Sequence, residues 1–353
     1  MPSPDRPVLA FVGGFLGTGK TTLIMKAAKV LHERGFQTAA IMNDQAEDLV
    51  DTEYARAEDV TVEEIAGGCF CCGFSELFDS ANRLREYQPH VIFAEPVGSC
   101  IDISATVLQP FKAFHSDEFQ LAPFTVLISP DVAGRVLNGG LTSEAAYLFG
   151  KQIEEADLIC LSKSDLSSGG RLPVPEDFRL SGKTGDGIAS WLDELLNPTR
   201  IVGAKLLEVD YDRYADAEAA LGWLNVHAKL ELAKPSSPAE VIGPILESLD
   251  QRLTAERMQI VHLKVFDRGA AGTLKASICA NGERPSVDGD FMAEPAIHHE
   301  LALNLRAQAD PDDLTRIVRS TMDTLDGKVE LGHLRSFRPA RPTPEHRFTA
   351  LAQ

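Results

Sequence analysis

The sequence predicts an α/β fold, a mostly parallel sheet covered on both faces, followed by a smaller α+β domain. Three observations carry this. Short apolar, β-branched runs alternate with helix-like patterns across the first half of the chain. Strands buried on both faces read as continuous apolar runs, and their alternation with helices implies crossover connections. A glycine-rich segment joins the first such run to the first helical pattern. Beyond about residue 200 this alternation gives way to longer strand-like runs and two helical segments.

Taken in order, strands are expected at Val8–Val12, Thr38–Met42, Val91–Ala94, Phe124–Ile128 and Leu158–Leu161. Between the first two, Lys20–Arg34 places Leu23, Ala27, Val30 and Leu31 at helical spacing, and Gly35 supplies a stop. The first domain then covers 1–199, with Asn197-Pro198 and Gly203 marking its edge. The second, 200–330, carries strands at Lys205–Val209, Gly222–Leu232, Gln259–Phe266, Gly272–Ala280 and His298–Leu305. Ser237-Pro238-Ala239-Glu240 reads as a capping box that opens a helix to about Leu253, and a second helix runs from Pro311 to Leu325. Residues 331–353 are rich in Pro and Arg and are expected to be extended. The five bases and two acids of 327–353 suggest a strap docking on an acidic surface.

Composition bounds the function. With 44% hydrophobic and 24% charged residues in 353, the chain reads as a soluble globular protein. No apolar run has the length a membrane-spanning helix needs. Acids outnumber bases 52 to 34, a formal charge of −18, which disfavours a nucleic-acid binder. Three of the six cysteines fall within four residues, so reduced thiols in a cytoplasmic protein fit better than a secreted disulfide framework.

Gly14-Phe-Leu-Gly17-Thr18-Gly19-Lys20-Thr21 fits G-x-x-x-x-G-K-[ST], directly after a strand and directly before a helix. Glycines let the backbone N–H groups turn inward on phosphate oxygens, and the helix N-terminus favours an anion. Lys20 is expected at the β- and γ-phosphates, Thr21 on magnesium and Thr22 at the α-phosphate. Val91-Ile-Phe-Ala-Glu95 ends an apolar strand in a carboxylate suited to holding the magnesium shell or orienting an attacking water. Ser162-Lys163-Ser164-Asp165 follows another apolar strand and resembles the N-K-x-D base-reading motif of GTPases, with Ser162 in place of Asn. Ser181-Gly182-Lys183 resembles the loop that meets the guanine O6.

Cys69-Phe-Cys71-Cys72, set between glycines, brings three thiols onto one short loop, and thiolates are preferred zinc or copper(I) ligands. Upstream, Asp44 to Glu64 holds nine acids (Asp44, Glu47, Asp48, Asp51, Glu53, Glu58, Asp59, Glu63, Glu64) against Arg56. That charge of −8 attracts cations, and Glu64 is the nearest candidate fourth ligand. Cys100, Cys160 and Cys279 read as buried small hydrophobes, and His298-His299 as a surface pair.

The ordered set G-F-L-G-T-G-K-T-T, Asn43-Asp44, E-x-x-G-G-C-F-C-C, E-P-V-G and S-K-S-D resembles the CobW-type GTPases over roughly residues 8–197. These are relatives of the nickel-insertion GTPases of urease and hydrogenase. The resemblance implies a P-loop GTPase domain of a dimer-prone class, slow GTP hydrolysis, and zinc or a related metal at Cys69, Cys71 and Cys72. It sets Asp44 where the family commonly has Glu. Asp44 and Glu64 complete the candidate metal set with Thr21 and Glu95, and Lys20 and Glu95 are the candidate catalytic pair. The function expected is a GTP-hydrolysing metallochaperone serving an unidentified client metalloprotein. The alternatives are an assembly factor whose cysteines hold structural zinc, and a nucleotide-gated scaffold.

Overall fold

The computed structural model describes residues 2–45, 50–57, 60–140, 142–166, 174–197 and 199–352. Glu47, Asp48, Glu58 and Asp59 of the acidic run, and Pro198 of the expected boundary, lie outside the described residues. The chain forms two units, Met1–Gln45 with Glu58–Ala217 and Arg341–Gln353, and Ala46–Ala57 with Glu218–Ala340.

The first unit is built on a parallel sheet. Its strands are β1 (Val8–Gly14), β2 (Thr38–Asp44), β3 (Thr61–Ala66), β4 (Val91–Glu95), β5 (Gln120–Leu121), β6 (Thr125–Ile128), β7 (Leu158–Leu161) and β8 (Phe178–Arg179). The spatial order is β3-β2-β4-β1-β6-β7-β8, with β5 also beside β1. β1 is the apolar run VLAFVGG, and every residue in it is buried, as a central strand covered on both faces requires. β3 was not foreseen. Its sequence TVEEIA carries two glutamates because it is the edge strand and stays half-exposed on most of its length.

Helices α1 (Lys20–Glu33), α3 (Phe74–Arg85), α4 (Gln109–Phe114), α5 (Pro130–Leu137), α6 (Ser143–Glu155) and α7 (Ile188–Leu195) belong to this unit, while α2 (Val50–Ala57) counts with the second. α1 ends where Gly35 takes a left-handed φ of 85°. A single π-helical turn, Ser104–Leu108, leads into α4. Helix α8 (Tyr211–Ala219) closes the main stretch of the unit.

Lys205–Val209 is not a strand and pairs with none of the described strands. Its approach is held by side chains instead. The Asp157 carboxylate accepts from the N–H groups of Gly203 at 2.7 Å and Ala204 at 3.4 Å, and Lys205 donates to the Ala156 carbonyl at 2.6 Å. The unit therefore runs to Ala217 and not to residue 199.

The second unit is a six-stranded antiparallel sheet in the order β12-β11-β10-β13-β9-β14. These strands are β9 (Gly222–Ser236), β10 (Gln259–Gly269), β11 (Gly272–Ile278), β12 (Ser286–Gly289), β13 (Ala296–Gln308) and β14 (Gly327–Phe337). Leu263, Val265, Leu301, Leu303 and Leu305 alternate onto one face, where α9 (Pro238–Ala255) and α10 (Pro311–Met322) bury them. The capping box is present, with Ser237 accepting from the Glu240 N–H and Glu240 reaching back. The opposite face receives α2. Asn304 accepts from the Val50 N–H at 3.0 Å, Lys264 pairs with Asp51, and the Lys275 ammonium sits 3.6 Å over the Tyr54 ring. Glu53 meets Arg56 and Arg268, so both described acids of α2 are matched by bases.

Two further expectations change. His299 is buried, not at the surface. It bonds Asp267 at 2.7 Å and the Ala296 carbonyl at 3.0 Å, because β13 alternation turns it inward while His298 stays exposed. The expected tail divides. Residues up to Phe337 pair with β9 as β14, and residues from Arg341 on pack against the first unit. There Glu345 N–H donates to the Cys71 carbonyl at 3.1 Å, Phe348 N–H to that of Ala105 at 3.0 Å, and Ala352 N–H to Gln109 Oε1 at 2.8 Å. Arg341 pairs with Asp212, and Arg347 with Asp102. Among the described residues no helix is long and apolar enough to cross a membrane.

Candidate functional site

β1 ends in the turn that begins the glycine-rich loop. Gly14 has φ of 132°, and a Cβ there would lie 2.5 Å from the Leu127 carbonyl, so no other residue fits. Gly17 and Gly19 also take positive φ, 80° and 86°. The loop is braced from within. Thr18 Oγ1 donates to the Phe15 carbonyl at 2.8 Å, and Lys20 Nζ donates to that of Gly14 at 3.0 Å. β4 lies beside β1 and delivers Glu95 to the start of α1. Thr21 Oγ1 donates to Glu95 Oε2 at 2.8 Å, and Lys20 Nζ lies 3.9 Å from Glu95 Oε1. All three side chains are buried.

The second group lies at the ends of β7 and β8. Ser162 Oγ donates to the Thr18 carbonyl at 2.6 Å and to that of Ile128 at 3.1 Å, which ties this segment to the phosphate loop. Lys163, at a left-handed φ of 51°, pairs with Asp131 at 3.2 Å. Burial raises the Asp131 carboxyl, but Lys163 and the surrounding hydrogen bonds outweigh it and hold the group below its usual value. Asp165 Oδ1 accepts from Ser181 Oγ at 2.7 Å. A Cβ on Gly182 would sit 3.1 Å from the Thr22 methyl, so this turn closes directly on the start of α1. Sequence segments 160 and 180 residues along the chain are thus drawn to the loop at residues 14–22.

If Asp165 reads guanine, Asp165→Asn sets a donor against the base's N–H groups. GTP affinity is then expected to fall by about 1–3 kcal/mol, the scale of one bidentate base contact. Competition of labelled GTP with unlabelled GTP and ATP checks this, and equal competition by ATP against the unmodified protein rejects the assignment.

The cysteine loop follows β3. Asn43, at the end of β2, donates through Nδ2 to the carbonyls of Ile65 at 3.1 Å and Gly68 at 2.7 Å, and accepts from the Phe70 N–H at 3.1 Å. One buried amide therefore anchors the entry to the loop. The three sulfurs lie within 4.8 Å of one another. Cys69 and Cys72 are 3.4 Å apart, Cys71 and Cys72 3.6 Å. Hydrogen bonds from Cys100, then Cys71 and Cys72, favour the Cys69 thiolate and hold its pKa well below the usual thiol range. The same contacts to Cys69 push Cys71 upward and Cys72 to about 11.

Asp44 and Glu64 are not brought into this group among the described residues. Asp44 Oδ1 instead accepts from the Gln45 N–H at 2.6 Å. Glu64 sits opposite Met42 in the β2–β3 ladder. A strand advances about 3.3 Å per residue, which leaves Glu64 well back from the loop. Glu63 pairs with Arg83 at 2.7 Å. Cys100 is buried, as expected.

A phosphate loop with its lysine and threonine set against a strand-end glutamate, on a parallel sheet that also presents an aspartate–serine pair, defines a P-loop GTPase. Residues 8–174 match the family described as CobW/HypB/UreG, nucleotide-binding domain. The match takes in the phosphate loop, the cysteine loop and the segment from Ser162 to Asp165. Among solved structures, the chain is similar to HypB from Helicobacter pylori in complex with nickel, at 19% identity and a TM-score of 0.41, covering 59% of this chain and 92% of that one. It is also similar to the Zn(II)-bound YjiA GTPase from E. coli, at 14% identity and a TM-score of 0.35, covering 91% and 99%. For HypB from Archaeoglobus fulgidus the values are 18%, 0.37, 54% and 88%. No curated protein matches the sequence.

Proposed function

We propose that this protein is a GTP-driven metallochaperone in which nucleotide state sets the affinity of Cys69, Cys71 and Cys72 for zinc or a related metal, released to a client metalloprotein. The observation that carries this reading is the convergence of three thiols within 4.8 Å, on the loop that follows edge strand β3 of the same sheet whose strand β1 leads into the phosphate loop. A tetrahedral thiolate site with metal–sulfur bonds of about 2.3 Å separates its sulfurs by about 3.8 Å. The 3.4 and 3.6 Å separations come close to that spacing. The donor set fits a soft cation.

In this reading the loop N–H groups of residues 14–19 and the Lys20 ammonium hold the β- and γ-phosphates, and Thr22 meets the α-phosphate. Thr21 and Glu95 hold magnesium or its water shell, and Glu95 orients the attacking water. The base lies against Lys163 and is read by Asp165, with Ser181 supporting that carboxylate. Magnesium, when bound, neutralises charge that develops on the phosphates. Ser162 performs one service that a longer amide would also perform, the bond to the Thr18 carbonyl.

The segment after Asp44 leads through α2 and returns in β3 to the cysteine loop. A γ-phosphate can order such a segment and hydrolysis release it. A nucleotide-dependent homodimer is part of the proposal, as the family resemblance implies.

Burial of Cys69 and Cys71 favours a second reading, an assembly factor whose cysteines hold structural zinc. Titrating zinc into the GDP-bound and non-hydrolysable-GTP-bound protein decides between them. Chaperone action predicts affinities that differ by about 1–3 kcal/mol, with metal changing GTP affinity by the same factor. Replacing all three cysteines with serine is expected to remove the effect while GTP binding persists. Equal affinities in both states would move the protein to the structural reading.

A further inference from the structure

We propose that residues 341–352 are a gate on the cysteine site, with 343–345 as a flap that closes over Cys72 and 346–352 as its anchor. This rests on the reading of Cys69, Cys71 and Cys72 as metal ligands, and it names what controls metal exchange there. Of the three thiols only Cys72 is partly exposed, while Cys69 and Cys71 are buried. The flap lies on that one. The Thr343 N–H donates to the Cys72 sulfur at 3.1 Å, and the Glu345 N–H donates to the Cys71 carbonyl at 3.1 Å.

The local sequence suits a flap. Pro342-Thr343-Pro344 sets Thr343 between two prolines, which have no N–H and a ring that fixes φ. Thr343 therefore carries the only backbone donor of residues 342–344, and the proline after it favours extended backbone. That donor meets sulfur. An N–H···S bond stabilises thiolate charge, and such supporting contacts tighten the hold of a ligand on its metal. Glu345 acts on the helix that follows the thiols. Helix α3 begins at Phe74, and its N-cap, Gly73, has no side chain to offer the orphan N–H groups. Glu345 Oε2 serves instead, accepting from the Ser75 N–H at 3.0 Å and the Ser75 hydroxyl at 2.7 Å. The helix dipole favours a carboxylate at that end. The cap of α3 thus comes from 270 residues further along the chain.

Flap and anchor differ in how firmly they are held. In the anchor, Arg347 Nε donates to Asp102 at 2.7 Å, the Phe348 N–H to the Ala105 carbonyl at 3.0 Å and the Ala352 N–H to Gln109 Oε1 at 2.8 Å. Asp102, Ala105 and Gln109 are all buried. The rings of His346 and Phe348 lie 5.4 and 6.0 Å from that of Phe114. In the flap, Thr343, Glu345 and the Ser75 partner are exposed. Water replaces their bonds at small cost, so the flap belongs to the part of the chain that opens most readily. When it lifts, the anchor stays. Cys72 then loses its N–H donor and is the first ligand to let go, which gives metal a way in and out that leaves the fold intact.

Two rates measured on the reduced full-length protein test this. One is alkylation of Cys72 by iodoacetamide in the metal-free protein, read by peptide mass spectrometry. The other is transfer of bound zinc to an excess of chelator. Glu345→Ala is expected to speed both by roughly 2–30-fold, the change in open population that losing a helix cap brings. Glu345→Gln, which keeps an acceptor for Ser75, is expected to stay near the parent. Thr343→Pro, which deletes the donor, is expected to lower zinc affinity by about 10–100-fold, and Thr343→Ala, which keeps it, to leave affinity unchanged. Thermal unfolding of the metal-free proteins shows that each variant folds. Zinc bound by the parent, with rates and affinities equal in all four variants, overturns the gate and leaves the three-cysteine reading standing. A parent that binds no zinc overturns that reading, and the gate with it.

Discussion

A Lys20→Ala protein is expected to fold and to lose GTP turnover by about 10²–10³-fold or more, the scale for removing one transition-state donor, about 2.7–4 kcal/mol. The ammonium is bonded to the Gly14 carbonyl at 3.0 Å and held 3.9 Å from Glu95, inside the loop that the three positive-φ glycines shape. Those partners are carbonyls of a turn whose form is set by Gly14, Gly17 and Gly19. The turn does not depend on the lysine. Glu95 keeps the Thr21 hydroxyl as a donor at 2.8 Å. Steady-state phosphate release, run beside circular dichroism and thermal unfolding, checks both halves of the expectation. Undiminished turnover in a folded variant would reject the assignment of Lys20 to the phosphates.

Arg347→Met is expected to destabilise the first unit by about 2–3 kcal/mol at neutral pH. Breaking a fully buried pair costs about 3–5 kcal/mol, and the partial exposure of this guanidinium reduces that. Asp102 is fully buried, in a left-handed conformation with φ of 66°. It accepts from Arg347 Nε at 2.7 Å and from the Tyr211 hydroxyl at 2.8 Å. Burial raises its pKa above the usual aspartate value, and the bonds to Tyr211 and Arg347 only partly offset that. Removing the cation raises it further.

The sign then follows from linkage. Below the unfolded carboxyl range Asp102 is protonated in both proteins and contributes no difference. As pH rises from the parent's folded pKa to the variant's, Asp102 ionises beside Arg347 in the parent but stays protonated in the variant, so the variant's deficit grows, and it levels off above the variant's pKa, where the unmatched charge is buried. The neighbouring Glu155 is buried and raised by desolvation in parent and variant alike, so a comparison of the two removes most of its effect. Asp102→Asn keeps a residue that tolerates the left-handed backbone and removes the charge. Asp102→Asn with Arg347→Met is therefore expected to recover much of the loss. Denaturant unfolding across pH reads this directly, and a deficit that shrinks as pH rises rejects it.

Much of the candidate site was legible because its chemistry is local. Gly14 to Thr22 is one contiguous stretch, and the contacts that shape it, Thr18 to Phe15 and Lys20 to Gly14, span three and six residues. Glycines at the turning points and an apolar strand before them are enough to fix its form. Cys69, Cys71 and Cys72 are likewise neighbours on one short loop. Strands of the parallel sheet were readable because burial on both faces leaves continuous apolar runs such as Val8–Val12. β3 escaped because an edge strand keeps charge, and Lys205–Val209 misled because a short apolar run is not always a strand: here Leu207 is buried without strand pairing.

What could not be read is what the fold brings together from far apart. Ser162 and Thr18 are separated by 144 residues, and Arg347 and Asp102 by 245. The run of acids around Asp51 and Glu53 looked like a cation-attracting field, yet Lys264 and Arg268 answer those charges. The sequence alone established the phosphate loop, the thiol loop and the class of sheet, because adjacent residues carry those signals. Folding decided which carboxylates stay paired and where the tail lies. Each of those depends on distance through space, and chain order does not encode it locally.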